Sequence, residues 1–228
     1  QHTFHIINGA HDIRKIETDE SLFLEIIDTI RVADGIIWAF PLYYLLVAAQ
    51  YKRFIELIWE RKVDDVFKDK YTVAVSTSIH VFDHTAHNYI HAICDDLGMK
   101  FLGSYSADMY DLTKDMEQER FLMFGDQFLK GIEKHIFTAP DYKLIQHTSI
   151  VYEPQAHVQQ AVDQADKKVL ILTNCTPDQT NLKHMVEKLS GCFTKDAQTV
   201  NLFDIEMKGG CLGCIRCGYD NSCIYSGK

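Results

Sequence analysis

Ala33-Asp34-Gly35-Ile36-Ile37-Trp38-Ala39-Phe40-Pro41-Leu42-Tyr43-Tyr44 is the stretch that decides the fold. Gly35-Ile36-Ile37-Trp38-Ala39-Phe40 is a short unbroken apolar run, the pattern of a strand covered on both faces. Pro41 ends it, because proline has no N–H to give to a strand ladder. On either side the apolar period changes. Upstream, Leu22, Phe23, Ile26, Ile27 and Ile30 predict a helix over 21–33 with one buried face. Downstream, Val47, Tyr51, Phe54, Ile55, Ile58 and Trp59 predict another over 46–61. The alternation continues with a strand at 71–76, a helix at 85–97 capped by Gly98, and a strand at 100–106. A long helix over 114–136 should turn Leu122, Phe128, Leu129, Ile132 and Ile136 inward.

Residues 138–166 break this rhythm. They hold two prolines, several Gln and His residues, and one β-prone patch, Ser149-Ile150-Val151-Tyr152, and they read as a linker. A strand at 168–173, a helix at 179–189 and a strand at 198–203 follow. Strands alternating with helices at this spacing mean parallel βαβ units with helices on both faces of the sheet.

Composition narrows the function classes. Of 228 residues, 46% are hydrophobic and 24% charged, an ordinary globular balance. The net charge is −9 and no Lys/Arg block occurs, which argues against nucleic acid or an anionic membrane as the main partner. No stretch approaches the ~18 apolar residues of a membrane-spanning helix. The charged segment 12–20 stands where a secretory signal would need its apolar core. The chain opens on Gln1 and is read as processed, trimmed or a fragment. The seven cysteines are uneven: Cys94, Cys175 and Cys192 are scattered, whereas Cys211, Cys214, Cys217 and Cys223 crowd together. A secreted disulfide framework would spread its cysteines. The crowding points to a metal or redox site in a reducing, cytoplasmic compartment.

Two segments resemble the flavodoxin-like NAD(P)H-dependent FMN reductase and iron–sulfur flavoprotein families. The first, residues 33–44 followed by Ala49-Gln50-Tyr51-Lys52-Arg53-Phe54, is similar to that family's third strand, its P-x-Y flavin loop and the helix behind it. The second, from Lys168-Val169-Leu170-Ile171-Leu172 to Cys223, is similar to the family's first strand, first helix, second strand and cysteine-rich loop. The resemblance implies a flavodoxin-like, doubly wound parallel sheet in a three-layer α/β/α arrangement. The segments stand in reverse of the family order. Residues 1–137 therefore resemble the back part of one module, and 167–228 the front part of another. A tandem protein seen as a fragment fits this order; one circularly permuted module is the alternative.

The site residues follow from strand ends, because ligands of open α/β sheets bind beyond the strands' carboxyl ends. Pro41, Leu42, Tyr43 and Tyr44 leave such an end and offer a flavin an aromatic surface and backbone amides. Ser76, Thr77 and Ser78 form a small polar loop after the next strand. His84, His87 and His91 are spaced for one helical face, but no carboxylate or cysteine completes a metal site there, and they read as solvated or capping residues. The phosphate of FMN should meet backbone N–H groups at a helix N-terminus. Thr173, Thr176, Thr180 and Asn181 are the candidates, in a loop that lacks the family's glycine and carries Asp178. Cys94 reads as a buried helix residue. Cys211-x-x-Cys214-x-x-Cys217-x5-Cys223 has the compact spacing that a [4Fe–4S] cluster requires, with zinc or unmetallated thiols as alternatives.

The leading expectation is thus an FMN-dependent oxidoreductase or electron carrier with a [4Fe–4S] cluster. It would work with NAD(P)H or a redox-protein partner, as a homo-oligomer, away from nucleic acid and membranes. A quinone or nitroaromatic reductase without a cluster is the second reading. A flavodoxin-like interaction module that has lost its cofactor is the third.

Overall fold

The structure is a computed structural model that describes residues 2–108, 110–143, 149–153, 161–163, 165–195, 197–206, 208 and 216–225. The chain divides into two compact units, Gln1–Gln146 and His147–Lys228.

The first unit runs α1 (Ile13–Thr18), α2 (Glu20–Val32), β1 (Gly35–Pro41), α3 (Ala49–Glu60), β2 (Tyr71–Ser78), α4 (Asp83–Asp96), β3 (Lys100–Asp108) and α5 (Asp115–Glu133). The strands form one parallel sheet in the order β1-β2-β3, joined by the helical crossovers that parallel strands require. Gly35 pairs with Tyr71 and Pro41 with Thr77, so β1 and β2 end level. The β2–β3 register slips by one residue between Thr72 and Val73. Gly103, at φ +147°, absorbs that bulge in a conformation that side chains rarely adopt.

Local signals set the helix ends. The Asp19 carboxylate caps α2 by accepting from the N–H groups of Ser21 and Leu22. At its far end the Lys70 ammonium donates to the carbonyls of Arg31 and Ala33, placing a cation on the negative end of the helix dipole. The short α1 was not legible as a period, yet it buries Ile13 and Ile16. Arg53 of α3 binds Glu17, Glu56 and Glu60, a network that ties α1 to α3.

The main core lies on one sheet face. Trp38 and Phe40 of β1 and Ala74 of β2 meet Phe23, Ile27, Ile55, Ile58, Phe67, Ile90 and Cys94 there. Burial pushes the Cys94 thiol up to about 12, as expected for an inert core cysteine. The opposite face is thinner: Tyr71, Val73 and Phe128, with Leu102, Phe124 and Ile132 against them. Phe124 therefore replaces Leu122 on the inner side of α5. Leu122 is 71% exposed and Ile136 45%, against expectation. Helix and sheet approach so closely here that a Cβ at Gly35 would sit 2.8 Å from Phe128 and from Ile132. Gly35→Ala is accordingly expected to cost about 1–3 kcal/mol by overpacking, read as a lowered melting midpoint.

The second unit contains β4 (Leu170–Thr173), α6 (Thr180–Ser190), β5 (Gln198–Asn201) and the single turn α7 (Cys217–Asp220). β4 and β5 pair in parallel. None of its described residues is buried. The β-prone patch at 149–152 forms no strand at its described positions. Instead the Asn181 side chain accepts from the Tyr152 N–H and donates to the Ile150 carbonyl, substituting for a neighbouring strand. No helix among the described residues is long and apolar enough to cross a membrane.

Candidate functional site

The carboxyl ends of β1 and β2 bring two of the expected segments together. The Leu42 N–H donates to the Thr77 carbonyl at 3.0 Å, stitching the loop after β1 to the end of β2. The chain then reverses: Tyr43 N–H donates to Leu46 O at 2.6 Å and Leu46 N–H to Tyr43 O at 3.2 Å. The two residues between them, Tyr44 and Leu45, have φ of 45° and 74°. A turn with positive φ at both centres normally uses Asn-Gly, and each side chain held there costs roughly 1–2 kcal/mol. Leu42 anchors the loop on the main core, while Tyr44 stands 95% exposed. The result is an aromatic side chain on a fixed, strained turn beside the exposed Thr77.

The loop after β2 is strained too, with positive φ at His80 and Phe82. Ile79, Val81 and Phe82 are exposed there. Ser76 and Ser78 differ from Thr77 in what their hydroxyls do. Ser76 is buried, with its Oγ 2.8 Å from His87 Nε2 and 3.3 Å from Ser106 Oγ. Ser78 Oγ accepts from the His80 N–H at 2.9 Å. Both hydroxyls are thus engaged inside the protein. The expected solvated or capping role does not hold for His87, which is 7% exposed under the sheet end with no partner for Nδ1. Desolvation lowers its pKa.

Three carboxylates, Asp83, Asp108 and Asp111, surround the neighbouring end of β3. Hydrogen bonds from Ser106 and then His80 hold Asp83 down to about 2. This edge suits a neutral aromatic ring and disfavours a phosphate.

The second unit holds the other candidate loop. Thr173 Oγ1 accepts from the Cys175 N–H at 3.3 Å, and Gln179 Oε1 from the Thr176 N–H at 3.1 Å. Asn181 is committed to residues 150 and 152. The Asp178 carboxyl is lowered by a hydrogen bond from Thr176 and places negative charge beside Thr180. The described donors are therefore turned to the loop's own closure, a poor fit to a phosphate. Cys217 and Cys223 are exposed free thiols. Cys211 and Cys214 lie outside the described residues. Among the described residues, no group of three or more His, Cys, Asp or Glu side chains gathers as metal ligands would.

Residues 6–110, which carry both loops of the first unit, match the model of the family NADPH-dependent FMN reductase. That match lies wholly within the first unit and covers just under half of the chain. No curated protein matches the chain. Among solved structures, an apo NADH:FMN oxidoreductase (EMOB) is similar at 16% identity and TM-score 0.42, over 55% of this chain and 66% of that one. The NAD(P)H:acceptor oxidoreductase FerB from Paracoccus denitrificans is similar at 20% identity and TM-score 0.41, over 58% and 76%. An NADPH-quinone reductase from P. pentosaceus is similar at 16% identity and TM-score 0.39, over 46% and 72%. The chain thus spans just under two thirds of the first of these structures.

Within the first unit, the sequence named Ser76 and His87 but not the connection between them. His87, Ser76, Ser106, Asp83 and His80 form a continuous hydrogen-bonded chain from the core to the loop surface. The only available signal was Asp83 opening a helix between two histidines, directly after a strand.

Proposed function

We propose that the chain is a flavin-dependent NAD(P)H oxidoreductase whose first unit receives the isoalloxazine ring of FMN at the carboxyl ends of β1 and β2. The observation that carries this reading is the Tyr44–Leu45 turn, held in a costly conformation at the place where open α/β sheets bind ligands. FMN, when bound, supplies the hydride acceptor and the one- or two-electron donor. The protein's own residues position it. Pro41 and Tyr44 flank the ring, Leu42 and Tyr43 fix the turn, and Thr77 offers the free hydroxyl, with Ser76 and Ser78 bracing the loop from within. The matched family supports NAD(P)H as the reductant.

The two units are read as parts of two flavodoxin-like modules, since β1 and β4 each end a sheet with one side unpaired among the described strands. Thr173, Thr176, Thr180 and Asn181 would then mark the phosphate side of the second, with Asn181 the weakest candidate. A [4Fe–4S] cluster on Cys211, Cys214, Cys217 and Cys223 is the finer form of the proposal and rests on their spacing alone.

Protein purified without oxygen should show flavin absorbance and bleach on addition of NADH or NADPH. Iron and sulfide assays on the same sample decide the cluster: about four irons per chain support it. A colourless sample that takes up no added FMN would remove the oxidoreductase reading and leave the interaction module in front.

A further inference from the structure

The loop after β2 carries positive φ at two non-glycine positions, His80 and Phe82, and exposes Ile79, Val81 and Phe82 to solvent. Strain of that kind persists only where the surroundings hold it. The surroundings here are ionic. His80 Nδ1 lies 3.1 Å from Asp83 Oδ2, at the first turn of α4. His80 Nε2 lies 3.8 Å from Asp111 Oδ2, beyond the end of β3. Each carboxylate is itself fixed. Asp83 accepts from Ser106 of β3 and from the His84 N–H. Asp111 accepts from the Asp108 N–H at 2.9 Å and pairs with Lys114 at 3.0 Å. Nδ1 is within hydrogen-bond reach of Asp83, and Nε2 stands at ion-pair distance from Asp111, a contact that attracts the imidazolium and not the neutral ring.

We propose that His80 is the positioning residue of the ring-binding loop: as an imidazolium it bridges Asp83 to Asp111 and locks residues 77–82 across the ends of β2 and β3. The inference rests on the flavin reading above for its consequence, while the clamp itself is readable without flavin. The charged groups facing His80 are Asp83 from α4, Asp108 from β3, and Asp111, whose charge is shared with Lys114. The hydrogen bond to Asp83 raises the His80 pKa, helped by the fields of all three carboxylates and opposed by slight burial. The sign follows. A raised folded-state pKa means that the clamp is complete below the unfolded value of 6.5 and is lost as pH rises through the folded value. Asp83, at about 2, stays ionised throughout. His87 acts in the opposite sense: its lowered pKa makes the fold lose stability on the acid side instead.

The test is the hydrogen-exchange protection of amides 78–84 in flavin-free protein, measured from about pH 6 to about pH 9 alongside the His80 ring titration by NMR. Protection relative to the intrinsic rate is expected to fall at least about tenfold across the His80 midpoint. His80→Gln should show the low value at every pH. Asp111→Asn keeps an acceptor for the Asp108 N–H and should move the His80 midpoint down while the amide protection of β1 and β2 stays as in the unaltered protein, which loss of bulk structure would not leave unchanged. Protection that is independent of pH, or unchanged in His80→Gln, would overturn the clamp. A lumiflavin titration on the same samples separates the two readings. Affinity that falls with loop protection supports the positioning role, and pH-independent affinity overturns it. A working clamp with no flavin binding would count against the oxidoreductase reading alone.

Discussion

Phe67→Ala is expected to destabilise the first unit by about 3–5 kcal/mol, the range for emptying a fully buried aromatic site. Phe67 has no exposed surface and stacks on Trp38 at 6.2 Å between centroids, 15° from parallel. It enters the core from a one-turn 3-10 helix, Asp64–Phe67, so its removal leaves a cavity between that turn and β1. Domains of this size hold a net stability of roughly 5–15 kcal/mol, and the loss is a large part of it. Both tryptophans of the chain, Trp38 and Trp59, lie in the first unit. Tryptophan fluorescence in a urea titration therefore reports that unit alone. The midpoint should move sharply to lower urea, and an unchanged midpoint would mean that the packing around Trp38 is misassigned.

The second large effect has two signs. Tyr44→Asn with Leu45→Gly installs the residue pair that a turn with two positive φ values prefers. Tyr44 is 95% exposed and Leu45 38%, so little burial is lost. Relief of strain should raise stability by about 1–2 kcal/mol. Flavin affinity should fall at least about tenfold, because the aromatic face beside Thr77 is gone. Urea unfolding and flavin fluorescence quenching on the same variant measure both. A variant that gains stability and binds flavin unchanged would show that the turn's strain has nothing to do with the ring.

What the sequence disclosed and what it hid divide along physical lines. The apolar run at 35–40 was legible as a strand with Pro41 at its end, but not as an edge strand of the described sheet: only Trp38 and Phe40 are buried, while Ile37 and Ala39 on the other face are exposed, against the expected cover on both faces. The helices at 20–32, 49–60 and 83–96 were legible because each has one continuous inner stripe. α5 was read correctly at Phe128 and Ile132 and misread at Leu122 and Ile136, because apolar residues at 121–124 offer two overlapping stripes and only packing against the sheet selects Phe124. Phe67 was invisible to periodicity, since one 3-10 turn has no period. In the site, the proximity of Pro41–Tyr44 to Thr77 was readable from strand ends. The engagement of Ser76 with His87 was not: it depends on which way β2 alternates at its last residues, and no local pattern fixes that. The His80 clamp joins positions 80, 83 and 111 across three elements, and only the fold brings them together.

The most direct test of the central claim is an amide NMR titration of the labelled chain with FMN. Binding of the ring at the carboxyl ends of β1 and β2 predicts that the shifts concentrate at residues 41–46 and 77–82. Shifts confined to other parts of the chain, or none at saturating FMN, would contradict it.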